Sequence, residues 1–265
     1  MLTPAILALD FDGVLCDGLI EYFQTAWQAY CRLFDQVPAD PPPGLAERFY
    51  PLRPVIETGW EMPLLLHALQ QGVEDAAVLD YWPTLVQDIL QETRIQPDVA
   101  MAAVDGGRDR WIQTDLEGWL SLHRFYPDVI ERLQGAMTAG AFPIIISTKE
   151  GRFIQALLAQ AGVDLPRDQI IGKEIKQPKP VTLQQIQASP PVAAAASQPI
   201  WFLEDRLKTL DKVKAVPELD DVTLFLVDWG YNTAVERDRA AHDPRIHLLS
   251  LPQMTDEFAA WLPSS

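Results

Sequence analysis

The sequence predicts an α/β fold in which a parallel sheet is interrupted, after its first strand, by a block of helices. Short apolar runs that end in polar residues are typical of strands covered on both faces of a parallel sheet. Helical patterns separate several of these runs, as they do in βαβ units. A stretch of about 100 residues without a clear strand pattern has the size of a small domain.

The first strand is predicted over ILALDF (6–11), where aliphatic residues form a continuous run. Helices are predicted over 128–140 and 151–163, on either side of the second strand. This alternation indicates a sheet core formed by residues 1–17 and 123–265. The other predicted strands are FPIIIS (142–147), IWFLED (200–205) and VTLFLVD (222–228).

Residues 18–122 are predicted to form an all-helical domain inserted into this core. ADPPPG (39–44) is predicted to end its first helix, and AVDGG (103–107) is predicted to be a loop. A Pro/Ala-rich segment at 188–199 is predicted to be a surface loop of the core. The first helix is indicated by apolar side chains at helical spacing, namely Leu19, Tyr22, Phe23, Ala26, Trp27, Tyr30 and Phe34.

The composition excludes several classes of function. The chain has 21 basic and 37 acidic side chains, a net charge of −16, and no run of Lys or Arg. Nucleic acid and anionic membrane surfaces are therefore poor candidates for partners. The first residues lack the basic region of a signal peptide, and no apolar run reaches membrane length. A soluble, cytoplasmic protein is predicted.

Polar side chains lie at or just after the ends of three of the predicted strands. In open α/β sheets ligands bind at the carboxyl ends of the strands, so these side chains are candidates for one site. Carboxylates that converge without a cation repel one another, and Mg²⁺ relieves that repulsion with oxygen ligands alone. The candidates are Asp10 and Asp12, then Ser147 and Thr148, then Glu204 and Asp205.

Each of these groups also has a structural explanation. Two aspartates at a strand end are often turn or cap residues, and Ser147 is well placed to cap the helix that follows it. Glu204 and Asp205 alone are compatible with a solvated loop. Cys16 is interpreted as a small packing residue, because no basic neighbour would activate its thiol.

Four segments resemble the motifs of the haloacid dehalogenase-like hydrolases, in the order in which that family has them. They are DFDGVLCD, FPIIISTKEG, IIGKEIKQPKPVTL and IWFLEDRLKTL. LFLVDWGYN resembles a late strand and turn of the phosphoglycolate-phosphatase-like branch. The resemblance covers 5–17 and about 124–250, and the helical domain lies where the family has its cap domain.

The resemblance implies that Asp10 is the nucleophile and that Asp12 is the general acid and base. It implies Mg²⁺ as cofactor, held by Asp10, the backbone carbonyl of Asp12, and Asp205. Glu204 stands where the commoner motif has glycine, and it is assigned to the same metal site, directly or through a metal-bound water. Gly13 fits a sharp turn off the strand, where a side chain would obstruct the site.

The remaining site residues would act on the phosphate group. The resemblance implies that Ser147 donates a hydrogen bond to a phosphate oxygen, with Thr148 as the weaker alternative and Lys149 as an extra contact. It implies that Lys179 neutralises phosphate charge and positions Asp10. Lys176 remains an alternative for this lysine, although a proline follows Lys179 directly.

These residues predict a Mg²⁺-dependent phosphatase whose substrate is a small phosphorylated metabolite. Asp12 favours phosphate chemistry, because dehalogenases of the family lack this aspartate and their leaving group needs no proton. A sugar phosphomutase and an inactive binding or regulatory protein remain alternatives, and the oligomeric state is left open. The helical segment 50–66 has two interpretations, a lining of the substrate pocket and an ordinary turn with solvated charges.

Overall fold

The computed structural model describes residues 3–37, 40–188 and 199–262. The loop predicted over 188–199 lies outside these ranges except for its two end residues. Within the described ranges, none of the helices combines the length and the apolar character that crossing a membrane requires.

The chain divides into two compact units. Met1–Asp17 and Arg124–Ser265 form one, which we call the sheet unit, and Gly18–His123 form the other, the helical unit. The sequence placed the second boundary one residue earlier, after 122. His123 groups with the helices because its N–H donates to the carbonyl of Leu120 at 3.1 Å, and its ring Nδ1 lies 3.2 Å from a further carbonyl oxygen of the same turn.

The sheet unit contains a six-stranded parallel sheet and a short antiparallel hairpin. The strands are β1 (Ile6–Leu9), β2 (Cys16–Asp17), β3 (Arg124–Phe125), β4 (Phe142–Ile146), β5 (Ile170–Ile171), β6 (Ile200–Glu204), β7 (Thr223–Val227) and β8 (Ile246–Leu249). The order across the sheet is β5-β4-β1-β6-β7-β8, and β2 pairs with β3 in the hairpin. The winding direction reverses between β1 and β6, and this switch point is where doubly wound sheets bind their ligands.

The central strand β1 is buried along its whole length. Its last residue, Leu9, pairs with Ile145 of β4 and with Leu203 of β6, so the three strands end at nearly the same level. A strand covered on both faces has to be apolar throughout, which explains the continuous runs in the sequence. The four predicted strands and the α/β fold class are confirmed.

Two strands of the sheet were not predicted. β5 has only two residues, and β8 includes His247, which is partly exposed. Both lie at the edges of the sheet, where burial is incomplete and the apolar pattern is correspondingly weak.

Among residues 18–37 and 40–123, the helical unit contains six α-helices and no strand. Its core is separate from that of the sheet and includes Phe49, Leu65 and Trp82. The α-helices are α1 (Leu19–Leu33), α2 (Leu45–Leu52), α3 (Met62–Gln70), α4 (Asp75–Thr93), α5 (Pro97–Thr114) and α6 (Leu116–Leu120).

The prediction of a loop over 103–107 was wrong, because these residues lie inside α5. Ala100, Ala103, Val104 and Gly107 are all buried on one face of this helix, which packs against α1. A glycine inside a helix costs about 1 kcal/mol relative to alanine. Packing of this face outweighs that cost.

Glu21 of α1 is fully buried and has several hydrogen-bond donors around it. Its carboxylate accepts from Thr25 Oγ1 at 2.7 Å, from Arg108 Nε at 2.7 Å and from Trp119 Nε1 at 3.1 Å. The network joins α1, α5 and the short helix α6, so one buried charge ties together elements far apart in the sequence.

Helices cover the sheet and follow most of its strands. The predicted helices over 128–140 and 151–163 are confirmed as α7 and α8. In the described part of the sheet unit, the α-helices are α7 (Val129–Thr138), α8 (Gly151–Gln160), α9 (Lys179–Gln187), α10 (Leu207–Lys214), α11 (Ala234–Ala241) and α12 (Leu251–Thr255).

Candidate active site

Three buried carboxylates meet at the carboxyl ends of β1 and β6, beside the switch point of the sheet. They belong to Asp10, Glu204 and Asp205, and one oxygen from each lies within 4.8 Å of the others. We call this group the carboxylate triad. Its position follows from the register of β1 and β6, which brings the ends of both strands to the same level.

Asp10 is held in one orientation by contacts to both of its carboxylate oxygens. The N–H of Phe11 donates to Oδ1 at 2.7 Å, and Nζ of Lys179 lies 2.8 Å from Oδ2. The backbone N–H of Asp10 continues the sheet by donating to the carbonyl of Leu203 at 3.0 Å. The carboxylate is therefore fixed to the sheet rather than free to rotate.

Lys179 lies between two members of the triad. Its Nζ is 2.8 Å from Asp10 Oδ2 and 2.6 Å from Glu204 Oε2. Lys179 is the first residue of α9, and the prolines on either side restrict the backbone there. Lys176, the alternative, is exposed and ends a short 3₁₀ helix with a φ of 51°.

The other two carboxylates are fixed by backbone groups and by the turn after β7. The N–H of Arg206 donates to Glu204 Oε1 at 3.0 Å, and the N–H of Tyr231 donates to Asp205 Oδ2 at 2.8 Å. Asn232 Nδ2 donates to the backbone carbonyl of Asp205 at 2.9 Å. The sequence did not single out Tyr231 or Asn232, although both lie in the segment LFLVDWGYN.

Two glycines leave the space that Asp205 occupies. Gly13 has a φ of +84°, and a Cβ atom built there would lie 2.3 Å from Asp205 Oδ2. A Cβ atom on Gly230 would lie 2.3 Å from the Cβ of Asp205 and 2.5 Å from the carbonyl oxygen of Gly13. A side chain at either position would displace the triad.

Burial shifts the acid–base behaviour of the triad. Desolvation by burial, reinforced by the nearby charge of Glu204, raises the pKa of Asp10 to about 6 despite the attraction of Lys179. Burial and the charges of Glu204 and Asp10 also raise the pKa of Asp205. Burial alone would lower the pKa of Lys179, but its attraction to Asp10 and Glu204 is larger and raises it.

The triad therefore carries more negative charge than Lys179 can balance. Each member offers carboxylate oxygens, which hard divalent cations such as Mg²⁺ prefer over softer metals. A bound dication would lower the pKa values of both aspartates by stabilising their ionised forms. The residues present fit a hard divalent cation.

A second group of polar residues follows β4. Ser147 is buried at the end of this strand, and its Oγ accepts a hydrogen bond from the N–H of Lys149 at 3.3 Å. Nζ of Lys149 lies 3.1 Å from Oδ1 and 3.3 Å from Oδ2 of Asp12. Thr148 is exposed. Helix α8 begins only at Gly151, so Ser147 is not its N-cap.

The helical segment 50–66 fits neither of its two interpretations fully. Glu61 is buried, and its carboxylate accepts from Thr58 Oγ1 at 2.7 Å and from Trp82 Nε1 at 2.8 Å. Its charge thus stabilises the packing of the helical unit and is not solvated. The guanidinium group of Arg53 lies 5.0 Å from the ring centroid of Tyr22.

No protein-family profile and no curated protein matches this sequence. Solved structures match most of the chain. A predicted phosphatase from Clostridium acetobutylicum has a TM-score of 0.55 at 14% identity, covering 96% of this chain and 97% of that one. A predicted phosphoglycolate phosphatase from Haemophilus somnus has a TM-score of 0.54 at 14% identity, covering 88% of each chain.

A haloacid dehalogenase-like family hydrolase from Streptococcus pneumoniae has a TM-score of 0.50 at 11% identity and covers 94% of each chain. The chain has the haloacid dehalogenase-like fold. At these identities the likeness concerns the fold, and it confirms the predicted α/β core with an inserted helical unit.

Within this haloacid dehalogenase-like fold, most of the residues named from the sequence lie in two groups. Asp10, Lys179, Glu204 and Asp205 form the triad and its lysine. The other group consists of Ser147 and Lys149, which follow β4, and of Asp12, whose carboxylate contacts Lys149. The side chain of Asp12 is not part of the triad, and its predicted metal contact involved the backbone carbonyl. Thr148 lies beside these groups but is exposed.

Proposed function

We propose that the protein is a Mg²⁺-dependent phosphatase that hydrolyses a small-molecule phosphate monoester through an aspartyl-phosphate intermediate. The observation that carries this proposal is the geometry of Asp10. Its carboxylate is buried at the switch point of the sheet, is fixed by Phe11 and Lys179, and shares a carboxylate triad with Glu204 and Asp205.

Mg²⁺ would be held by the triad, with the backbone carbonyl of Asp12 as a further oxygen ligand. When bound, it would neutralise negative charge on the phosphate group and on the carboxylates around it. The excess negative charge of the triad supports this assignment, since Lys179 alone does not balance three carboxylates.

In the first step, a carboxylate oxygen of Asp10 forms a bond to phosphorus while the ester P–O bond breaks. The ester oxygen leaves with the electron pair of that bond and takes a proton from the carboxyl group of Asp12. The products of this step are a free alcohol and phosphorylated Asp10, and Asp12 is left ionised.

In the second step, Asp12 removes a proton from a water molecule as the water oxygen forms a bond to phosphorus. The bond between phosphorus and the Asp10 oxygen breaks, which restores the Asp10 carboxylate and releases inorganic phosphate. Asp12 is protonated again, so the cycle closes without any other reactant.

Two side chains, those of Lys179 and Ser147, would bind the phosphate group during both steps. The ammonium group of Lys179 offsets phosphate charge and holds Asp10 in place, as its 2.8 Å contact already does. Ser147 donates its hydroxyl hydrogen to a phosphate oxygen. Thr148 is the alternative to Ser147. The sequence also predicts Lys149 as an extra phosphate contact, but its ammonium group already pairs with Asp12.

The proposed substrate is a small phosphorylated metabolite of the cytoplasm. The net charge of −16 makes a polyanion such as nucleic acid an unfavourable substrate. The likeness to a predicted phosphoglycolate phosphatase supports small phosphorylated acids and sugars as the first compounds to test.

The decisive test is phosphate release from a panel of small phosphate monoesters, with Mg²⁺ and with EDTA. We expect the wild type to release phosphate only with Mg²⁺, and Asp10→Asn to lower kcat by at least about 10⁴-fold. Circular dichroism and thermal unfolding should show that the variant is folded. Lys176→Met, which removes an exposed charge near the site, is the matched control and should retain activity.

Other outcomes would replace the proposal. Interconversion of sugar-phosphate isomers without phosphate release would favour a phosphomutase. Failure to cleave any monoester in the presence of Mg²⁺ would favour a binding or regulatory protein. Retained activity in Asp10→Asn would show that Asp10 is not the nucleophile.

A further inference from the structure

Each aspartate of the first motif is paired with its own lysine. Asp10 contacts Lys179, and Asp12 contacts Lys149. In the second pair, Nζ of Lys149 contacts both carboxylate oxygens, at 3.1 Å from one oxygen of Asp12 and 3.3 Å from the other. Only 8% of the Lys149 side chain and 15% of the Asp12 side chain are exposed.

Both backbone groups of Lys149, the N–H and the carbonyl, make hydrogen bonds. Its N–H donates to Ser147 Oγ at 3.3 Å, and its carbonyl accepts from the N–H of Lys173 at 2.9 Å. The next part of the loop is tied down as well, because the N–H of Gly151 donates to Glu174 Oε2 at 3.1 Å. The loop after β4 is thus attached to the loop after β5, and the lysine side chain extends from a fixed base.

We propose that Lys149 is a positioning residue that acts through Asp12 and is not a ligand of the phosphate group. This inference rests on the proposed function, in which Asp12 gives a proton to the leaving oxygen. A carboxyl group that transfers a proton has to lie within hydrogen-bond reach of the receiving atom. Lys149 contacts both oxygens of Asp12 and so restricts the rotation of that carboxyl group.

A positioning role has a consequence that depends on the leaving group. An alkoxide needs a proton as the P–O bond breaks, whereas p-nitrophenolate is a stable anion and leaves without one. Misplacing Asp12 should therefore slow the cleavage of alkyl phosphates and leave the first step with p-nitrophenyl phosphate nearly unchanged. Loss of a phosphate ligand would affect both substrates alike, because their phosphate groups are identical.

The experiment compares Lys149→Met with the wild type on one alkyl phosphate and on p-nitrophenyl phosphate, using the full chain with Mg²⁺. Rapid-quench burst measurements isolate the first step from hydrolysis of the aspartyl-phosphate. We expect the first-step rate for the alkyl phosphate to fall by about 10- to 100-fold. For p-nitrophenyl phosphate we expect a change of less than about threefold, with similar KM values for both substrates.

A double-mutant cycle tests whether Lys149 acts through Asp12. Asp12→Asn should show the same selective loss on the alkyl phosphate, and adding Lys149→Met to it should lower the rate no further. Lys149→Arg, which keeps the charge, should restore part of the lost rate. Lys173→Met removes an exposed charge from the neighbouring loop and should behave as the wild type.

Several results would overturn the inference while leaving the proposed function intact. An equal rise of KM for both substrates would make Lys149 a phosphate ligand. An equal fall of both first-step rates, or additive losses in the double variant, would also refute positioning through Asp12. Thermal unfolding of Lys149→Met and Lys149→Arg identifies loss of folding, and the arginine variant keeps the test valid if the methionine variant is unfolded. Failure of the proposed function differs, since the wild type would then cleave neither substrate.

Discussion

The two units of the molecule each bury acidic side chains, but they balance the charge in opposite ways. In the helical unit, Glu21 accepts hydrogen bonds from Thr25, Arg108 and Trp119. In the sheet unit, the ammonium group of Lys179 contacts two of the three carboxylates of the triad, those of Asp10 and Glu204. One site is saturated with donors, whereas the other is short of positive charge.

The difference distinguishes a carboxylate that stabilises the fold from carboxylates that could bind a ligand. A buried carboxylate that has several donors stabilises the elements that supply them, and it has no capacity for a ligand. Carboxylates that repel one another destabilise the metal-free protein and bind a cation strongly for the same reason. Buried acids alone therefore do not indicate a site, and the balance of charge around them is more informative.

The largest expected effect on stability comes from Glu21. Glu21→Ala leaves the Arg108 guanidinium without its buried partner, and we expect the free energy of unfolding to fall by about 3 kcal/mol. This is the low end of the usual range, because 23% of the Arg108 side chain is exposed. Urea denaturation measures the change. The double variant Glu21→Leu with Arg108→Met should lose less, and an equal or larger loss would contradict the role of the ion pair.

A change of pH should alter the free energy of unfolding by a comparable amount through the triad, where the carboxylates lack positive charge. The pKa of Asp10 is about 6 in the metal-free fold, against an ordinary value of 3.8. Between these values the folded protein binds more protons than the unfolded chain, so the free energy of unfolding falls as pH rises. From Asp10 alone we expect a loss of roughly 3 kcal/mol between about pH 4 and pH 6.

Denaturation in EDTA across this pH range, compared between the wild type and Asp10→Asn, isolates the contribution of Asp10. The comparison is needed because Glu174 and Asp243 have lowered pKa values and act in the opposite direction. The pKa of Glu174 is lowered by hydrogen bonds that outweigh its burial, and that of Asp243 is lowered chiefly by the hydrogen bond from Lys214. Parallel pH profiles for the two proteins would refute the prediction.

A smaller effect of the opposite sign is expected from Asp205→Asn. The amide cannot ionise, and its oxygen can still accept the hydrogen bond from the N–H of Tyr231. We expect the metal-free variant to be more stable than the wild type by about 1 kcal/mol at pH 7, since repulsion within the triad is reduced. Thermal unfolding with EDTA measures the stability of the metal-free variant, and thermal unfolding with Mg²⁺ measures how far the cation still stabilises it. Destabilisation in EDTA, or a rise in Tm with Mg²⁺ as large as in the wild type, would contradict the assignment.

The smallest expected effect on stability comes from a glycine of the helical unit, Gly107, and it contrasts with the effect of Gly13 in the sheet unit. Gly107→Ala should stabilise the helical unit by about 0.5 to 1 kcal/mol, because the added Cβ has no atom within 4 Å and alanine favours a helix. Gly13→Ala should instead abolish activity, since its backbone has a positive φ and its Cβ would meet Asp205. Denaturation and phosphate release measure the two outcomes. Destabilisation by Gly107→Ala would show that the backbone of α5 requires glycine there.

The strands and the chemistry at their ends could be predicted because their signals are local. β1, β4, β6 and β7 are continuous apolar runs, and each carboxylate of the triad belongs to a residue that ends or directly follows one of them. The choice between Lys176 and Lys179 could not be made from spacing. The structure places Lys179 against Asp10, whereas Lys176 is exposed.

The features that sequence reasoning missed depend on contacts between distant residues. Glu21 pairs with Arg108 across 87 positions and with Trp119 across 98, and no local pattern reports such a pairing. Gly106 and Gly107 indicated a loop on propensity alone, but packing of α5 overrides that preference. The contact between Lys149 and Asp12 spans 137 positions, so its geometry was equally hidden.

The central place of β1 in the sheet has a consequence for how the chain folds during synthesis. Ile6 pairs with Phe142 on one side and with Ile200 on the other, so β1 is made long before either partner strand. At about 5 to 20 residues per second, the second partner follows roughly 10 to 40 seconds later. The apolar strand that precedes Asp10 therefore waits with one or both edges unpaired, and we expect nascent chains to need a chaperone during that interval.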